Sequence, residues 1–161
     1  VRNIFSAVPL HDIGKIGIPD SVLLKPEKLT AAEFAIMKMH VIIGATTLQR
    51  VKIQFPENPF INVAIEIARS HHEKWDGTGY PDGLAGETIP IAARIMTLAD
   101  VYDALRSDRP HKEPYTHEQS VEIIRNGSGR HFDPAVVDAF LAVHDSFEEI
   151  SQRLRDANTP Q

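Results

Sequence analysis

The stretch Leu10-His11-Asp12-Ile13-Gly14-Lys15-Ile16-Gly17-Ile18-Pro19-Asp20 decides the reading of this chain. A neutral imidazole beside a carboxylate can hold one divalent cation or join two, and needs no sulfur to do so. Lys15, one helical turn after Asp12, can offer positive charge to an anionic substrate. Four more candidate ligands follow: His40, His71, His72 and Asp100. Taken singly, each has a plainer explanation. His40 is a surface or core histidine, His71-His72 an exposed pair, and Asp100 a partner for Arg94 or Arg109. Taken with His11, Asp12 and Lys15, they point to metal chemistry.

Outward from that stretch, helical patterns dominate. Val1 to Leu10 reads as the back end of a helix whose front is absent, so a fragment of a longer chain is expected. Pro19-Asp20-Ser21 starts a short turn of helix, with Asp20 as a cap. Thr30 with Glu33 forms a capping box for a helix from Ala31 towards His40, continued over Val41 to Val51 after a bend. Ile61, Ala64, Ile65 and Ala68 recur at helical spacing and lead into His71 and His72. Neighbours on a helix point about 100° apart, so this pair should serve two metals, or one metal and one substrate phosphate.

Trp75 to Pro90 carries Gly77, Gly79, Gly83 and Gly86 with Pro81, and reads as a loop of tight turns. Tyr80 within it can stack a base or donate to a phosphate. Asp76 and Asp82 read as turn residues bonded to their own backbone. Pro90 opens a helix from about Ile91 to Leu105, in which Asp100 interrupts an apolar run and needs a cation if buried. Thr116 with Gln119 opens a helix to about Asn126. Asp133-Pro134 caps the next to about His144, and Ser146 to Ala157 is a final polar helix. Any β structure is expected as a short ribbon near Glu87 to Ile89.

Bulk properties narrow the classes. At 161 residues, one domain with a full core is expected. A net charge of −5 argues against DNA or RNA as the main partner. With no cysteine, disulfides, thiolate metal sites and cysteine nucleophiles are all excluded. No unbroken apolar run approaches the ~18 residues of a membrane span, and no signal peptide is evident, so no membrane partner and a cytoplasmic location are expected. Arg109 and Lys112 supply two cations that can clamp phosphate. His111, His117, His131 and His144 read as loop or surface histidines without a carboxylate partner.

Together these strings resemble the HD-GYP family, a branch of the HD metal-dependent phosphohydrolases. The matching pieces are Leu10 to Asp20, His40 to Gly44, His71 to Leu84 (HHEKWDGTGYPDGL), Ile89 to Leu105, Arg109 to Lys112 and His131 to Pro134. The resemblance implies an all-α fold, an HD-domain helical bundle with a Gly-rich GYP loop and at most a short β ribbon. It places the domain over residues 1–145, its N-terminal helix missing, with a C-terminal helix and frayed tail over 146–161. It implies two or three divalent metal ions, iron or manganese with zinc as the alternative. His11, Asp12, His40, His71, His72 and Asp100 match family ligands, with Asp12 bridging. Lys15, Tyr80, Arg109 and Lys112 match substrate-binding positions, and His11, Asp12 and Lys15 are the catalytic set.

The implied activity is hydrolysis of cyclic di-GMP, to the linear dinucleotide or GMP, in bacterial signalling. The implied partners are an upstream sensory or receiver domain, and a diguanylate cyclase docked through the GYP loop. Two departures stand out. The family takes a further histidine from a helix upstream of the HD pair, and His111 stands where a tyrosine is common. Two other functions fit the sequence less well. One is a non-catalytic signalling module that binds nucleotide or a cyclase; the other is an HD hydrolase acting on mononucleotides.

Overall fold

In a computed structural model, residues 2–107 and 113–158 are described, with 154–158 as backbone only. The described residues form eight α-helices: α1 (Arg2–Ala7), α2 (Asp20–Leu23), α3 (Ala31–Gln54), α4 (Pro59–Ser70), α5 (Ile91–Arg106), α6 (His117–Asn126), α7 (Pro134–Leu141) and α8 (His144–Asn158). Among them no strand occurs, only two isolated bridges, Asp76 with Ala85 and Ser128 with Phe132. The expected all-α architecture holds.

The chain divides into two compact units, Val1–Thr97 and Leu98–Gln161, the division falling inside α5. The first packs Ala7, Leu48, Ala64, Ile67, Ala68, Ala92 and Met96 into one core. Those residues come from α1, α3, α4 and the first half of α5, so four helices share it. The second packs Leu98, Tyr102, Val121, Ile124, Phe132, Val137 and Phe140 into another.

Local signals explain where several helices start. Thr30 Oγ1 accepts the Glu33 N–H at 3.3 Å, and the Glu33 carboxylate accepts the Thr30 N–H at 2.8 Å. Thr116 and Gln119 repeat the arrangement at α6. Asp133 Oδ1 accepts the Ala135 N–H at 2.8 Å at the start of α7. Asp20 is not a cap: it is the first residue of α2, whose cap position is Pro19 with no side-chain hydrogen bond.

Two further expectations are corrected. α3 runs through without a break for 24 residues, since no proline or glycine pair interrupts its hydrogen-bond ladder. Averaged along its length, α3 is long and apolar enough to cross a membrane by length and composition, although Glu33, Lys38 and His40 break its apolar runs. Within the first unit it contributes His40, Val41, Gly44, Ala45 and Leu48 as buried positions. The ribbon expected near Glu87 to Ile89 is instead a 3-10 turn over Gly86–Thr88. Thr88 Oγ1 accepts the Ala85 N–H at 3.1 Å and donates to the Ala85 carbonyl at 2.6 Å, which closes the turn and takes those groups away from any partner strand.

Candidate metal centre

The HD stretch reaches α3 through a glycine contact. After α1 the chain makes two 3-10 turns, Val8–Leu10 and Ile13–Gly17, and His11 and Asp12 sit between them. A Cβ built on Gly14 would lie 1.9 Å from the His40 carbonyl oxygen and 2.5 Å from the Gly44 nitrogen. Only a residue without a side chain lets this turn approach the α3 backbone so closely. That approach sets Asp12 beside His40.

Five of the expected ligands then converge in the first unit. Asp12 Oδ1 is 3.4 Å from His40 Nε2 and 3.8 Å from His71 Nε2. Asp12 Oδ2 is 3.2 Å from His11 Nε2 and 2.5 Å from Lys15 Nζ. Donor atoms of His40, His71 and His72 all lie within 4.8 Å of one another. The pair of adjacent histidines behaves differently from the expectation. His71 is the cap residue just past α4, and its ring stands 4.1 Å from that of His72.

The rings are held from behind. His11 Nδ1 lies 2.8 Å from the Val8 carbonyl, His40 Nδ1 2.7 Å from the Met37 carbonyl, and His71 Nδ1 3.0 Å from the Ile67 carbonyl. A carbonyl only accepts, so each Nδ1 carries a hydrogen. In neutral His40 and His71 the Nε2 lone pairs are thereby left facing Asp12. Both Nε2 atoms are buried and have no hydrogen-bond partner. Backbone-anchored imidazoles aiming free Nε2 atoms at a shared carboxylate are the outer support that metal ligands require. The residues present therefore fit a divalent cation, and their N and O donors suit iron, manganese or zinc.

The electrostatics point the same way. Burial pushes His71 down to about 4 and His72 down to about 3, the neighbouring imidazoles adding to the effect, so both rings are neutral at pH 7. Burial lowers His40 as well. Burial alone would raise Asp12, but hydrogen bonds from His11 and Lys15 outweigh it and hold the carboxyl far below the usual range.

Tyr80 stacks on His72, with ring centroids 4.9 Å apart and planes at 29°. Phe34 meets Tyr80 edge-on at 6.4 Å, and Lys38 Nζ stands over both rings, 5.1 Å from Phe34 and 5.3 Å from Tyr80. The sequence reading passed over Phe34 and Lys38; their spacing of four on the helix that carries His40 was the available signal.

It also passed over Glu73, which shapes the glycine-rich loop. Glu73 is 1% exposed. Its carboxylate accepts the Asp82 N–H at 2.7 Å and the Leu84 N–H at 3.1 Å. Gly79 crosses directly over it: a Cβ there would lie 2.5 Å from Glu73 Cα. Asp82 is corrected too. Its two oxygens receive Arg69 Nε and NH2 at 2.7 Å each, tying the loop to α4. Asp76 behaves as expected, accepting the Thr78 N–H at 3.0 Å.

Asp100 lies on α5 in the second unit, where it lines a cavity with Val101, Ala104, Leu105, Ser107, Glu113 and Tyr115. Arg109, His111 and Lys112 fall outside the described residues. His117 was expected on the surface and is buried. Its ring bonds to Tyr102 and to His144, the latter from far along the chain.

The HD domain family model matches residues 1–136, and the chain belongs to the HD domain family. The HD-GYP branch read from the sequence strings is borne out by the curated relatives. A cyclic di-GMP phosphodiesterase of Vibrio cholerae is 54% identical over 157 residues, which cover 98% of this chain and 32% of that protein. The cyclic di-GMP phosphodiesterase response regulator RpfG of Xanthomonas campestris is 49% identical over 158 residues, covering 98% of this chain and 40% of that protein. The chain thus spans well under half the length of either relative. A solved structure of a cyclic GMP-AMP specific phosphodiesterase of Vibrio cholerae shares the fold, with a TM-score of 0.58 at 21% identity, over 99% of this chain and 43% of that one.

Proposed function

We propose that this chain is the hydrolytic domain of a cyclic di-GMP phosphodiesterase, yielding the linear dinucleotide or GMP. The observation that carries the reading is Asp12. One of its oxygens faces His40 and His71, while the other faces His11 and Lys15. A carboxylate with donors on both sides is suited to bridging two cations. His11, Asp12, His40, His71, His72 and Asp100 would hold two or three of them, with iron or manganese the preferred occupants and zinc the alternative. When bound, such ions supply charge neutralisation at phosphodiester oxygens and a low-pKa water.

The chain's own residues do the rest. The carbonyls of Val8, Met37 and Ile67 fix three imidazoles so that no ligand has to reorient. Lys15 Nζ, 43% exposed at its side chain, is free to swing from Asp12 towards an equatorial phosphate oxygen as negative charge builds there. Tyr80 offers a ring face or hydroxyl to substrate beside His72. Arg109 and Lys112 are proposed to clamp the second phosphate. The two relatives support this substrate by their names and by identities of 54% and 49%. An upstream receiver or sensory domain, a diguanylate cyclase partner at the GYP loop and a cytoplasmic location complete the proposal.

The test is turnover of cyclic di-GMP and of cyclic GMP-AMP by protein loaded with Mn2+ or Fe2+, products separated by chromatography. Preferential cleavage of cyclic di-GMP supports the reading. Binding without cleavage in the full-length protein would replace it with the non-catalytic module.

A further inference from the structure

The second unit contains a further cluster of donor atoms that shares no residue with the HD set. His117 opens α6, and His144 and Asp145 open α8. His117 Nδ1 lies 2.9 Å from the Tyr102 hydroxyl, and His117 Nε2 lies 2.9 Å from His144 Nδ1. His144 Nδ1 is in turn 3.2 Å from Asp145 Oδ1. Three donor atoms from three side chains thus converge, all within 4.8 Å of one another.

Counting protons shows what holds them together. With its hydrogen on Nδ1, neutral His144 shares one N–H between His117 Nε2 and Asp145 Oδ1. His117 then carries its own hydrogen on Nδ1 and donates it to Tyr102. A single proton therefore lies among three lone pairs that would otherwise repel. A dication does the same work with greater charge, and releases that proton on binding.

The chemistry of the set suits a borderline ion. Two imidazoles and a carboxylate without sulfur are zinc ligands. At ligand lengths of about 2.0–2.2 Å, tetrahedral donors stand about 3.3 Å apart. The observed 2.9 and 3.2 Å need to open by only a few tenths of an ångström. The Tyr102 hydroxyl already fixes the far side of His117, as an outer partner of a ligating imidazole does. The cluster is not sealed: the His144 side chain is 32% exposed and that of Asp145 89%, so an ion and a water for the fourth position can arrive from solvent.

We propose that His117 Nε2, His144 Nδ1 and Asp145 Oδ1 form a second, zinc-type cation site, which ties the first turn of α8 to the first turn of α6. The site is structural in kind and is independent of the phosphodiesterase reading, so failure of either leaves the other standing.

The experiment uses chelated protein dialysed against micromolar Zn2+, with bound zinc counted per chain by elemental analysis and imidazole nitrogens followed by NMR. His144→Ala should bind one zinc per chain fewer than the unsubstituted protein. Asp145→Asn should hold that ion at least tenfold more weakly, and its exposed side chain makes it a fair test even if His144→Ala folds poorly. The ring resonances of His117 and His144 should shift on zinc addition, with His71 and His72 reporting the HD cluster separately. Equal zinc counts and affinities in all three proteins, with the His117 and His144 rings unmoved, would overturn the proposal and leave a proton as the cluster's only occupant.

Discussion

Buried Glu73 accepts the backbone N–H of Asp82 at 2.7 Å, so a carboxylate beneath the glycine-rich loop fixes the backbone of its far limb. With its second oxygen on the Leu84 N–H, Glu73 replaces the water those amides would otherwise need. Glu73→Gln keeps one acceptor oxygen and puts a donor where the other stood. It should lower stability by about 1–3 kcal/mol and lower turnover with metal content unchanged, because Tyr80 sits on the same loop. Urea unfolding and elemental analysis check this. An unshifted unfolding midpoint would mean that both amides find other partners.

Asp12→Ala should strip metal and abolish hydrolysis while helicity stays near that of the unsubstituted protein. Removing the carboxylate also leaves His11, His40, His71 and Lys15 facing one another without an anion. Circular dichroism, elemental analysis and turnover together decide it. Retained metal with full activity would remove Asp12 from its bridging role.

Lys15→Ala separates substrate binding from metal binding. Lys15 carries charge beside the cluster but cannot ligate a cation. Losing one charged hydrogen bond costs roughly 1.5–3 kcal/mol, so affinity for cyclic di-GMP should fall about ten- to a hundredfold at constant metal content. Arg109→Ala should behave alike. Isothermal titration measures both.

Asp100→Ala tests whether the second unit supplies a ligand. If Asp100 binds the cation with the five residues of the first unit, the variant should lose at least one metal per chain and most activity. An unchanged metal count would restrict the centre to the first unit.

Chelated protein should lose stability as pH falls below about 6.5. Unfolded imidazoles take up protons near 6.5, but folded His71 and His72 resist until about 4 and about 3. Between those values the unfolded chain binds more protons, so acid favours it, by on the order of 3 kcal/mol for His71 alone. Asp12, held low in the folded state, adds a loss of the same sign at still lower pH. Thermal midpoints between pH 7.5 and pH 4.5, taken with and without metal on His72→Gln and the unsubstituted protein, read the effect as roughly a few degrees per kcal/mol. A midpoint flat across that range would contradict the burial of these rings.

What the sequence made legible was what neighbours along the chain decide. The boxes at Thr30 and Thr116 and the cap at Asp133 are closed within three residues, and each was readable. The HD set was readable because imidazoles and carboxylates in that number have few other uses. The errors came from partners far away in the chain. Asp82 meets Arg69 and Glu73 meets Asp82, so neither could be placed from its surroundings. His117 was misplaced because its partners, Tyr102 and His144, lie 15 and 27 residues off.

The unbroken α3 makes position along it a matter of phase. Phe34 and Lys38 address Tyr80, His40 addresses Asp12, Gly44 admits Gly14, and Leu48 joins the core, all on one rod. Inserting or deleting a single residue between Phe34 and Leu48 would turn one part of that rod by about 100° and slide it by about 1.5 Å against the rest. No loop lies between these positions to absorb the slip. Length can change without penalty only beyond the last of them, towards Phe55–Asn58, where the chain has left the helix. The spacing of these five residues is thus a quantity that substitution leaves untouched, and that insertion or deletion cannot alter without dismantling the site.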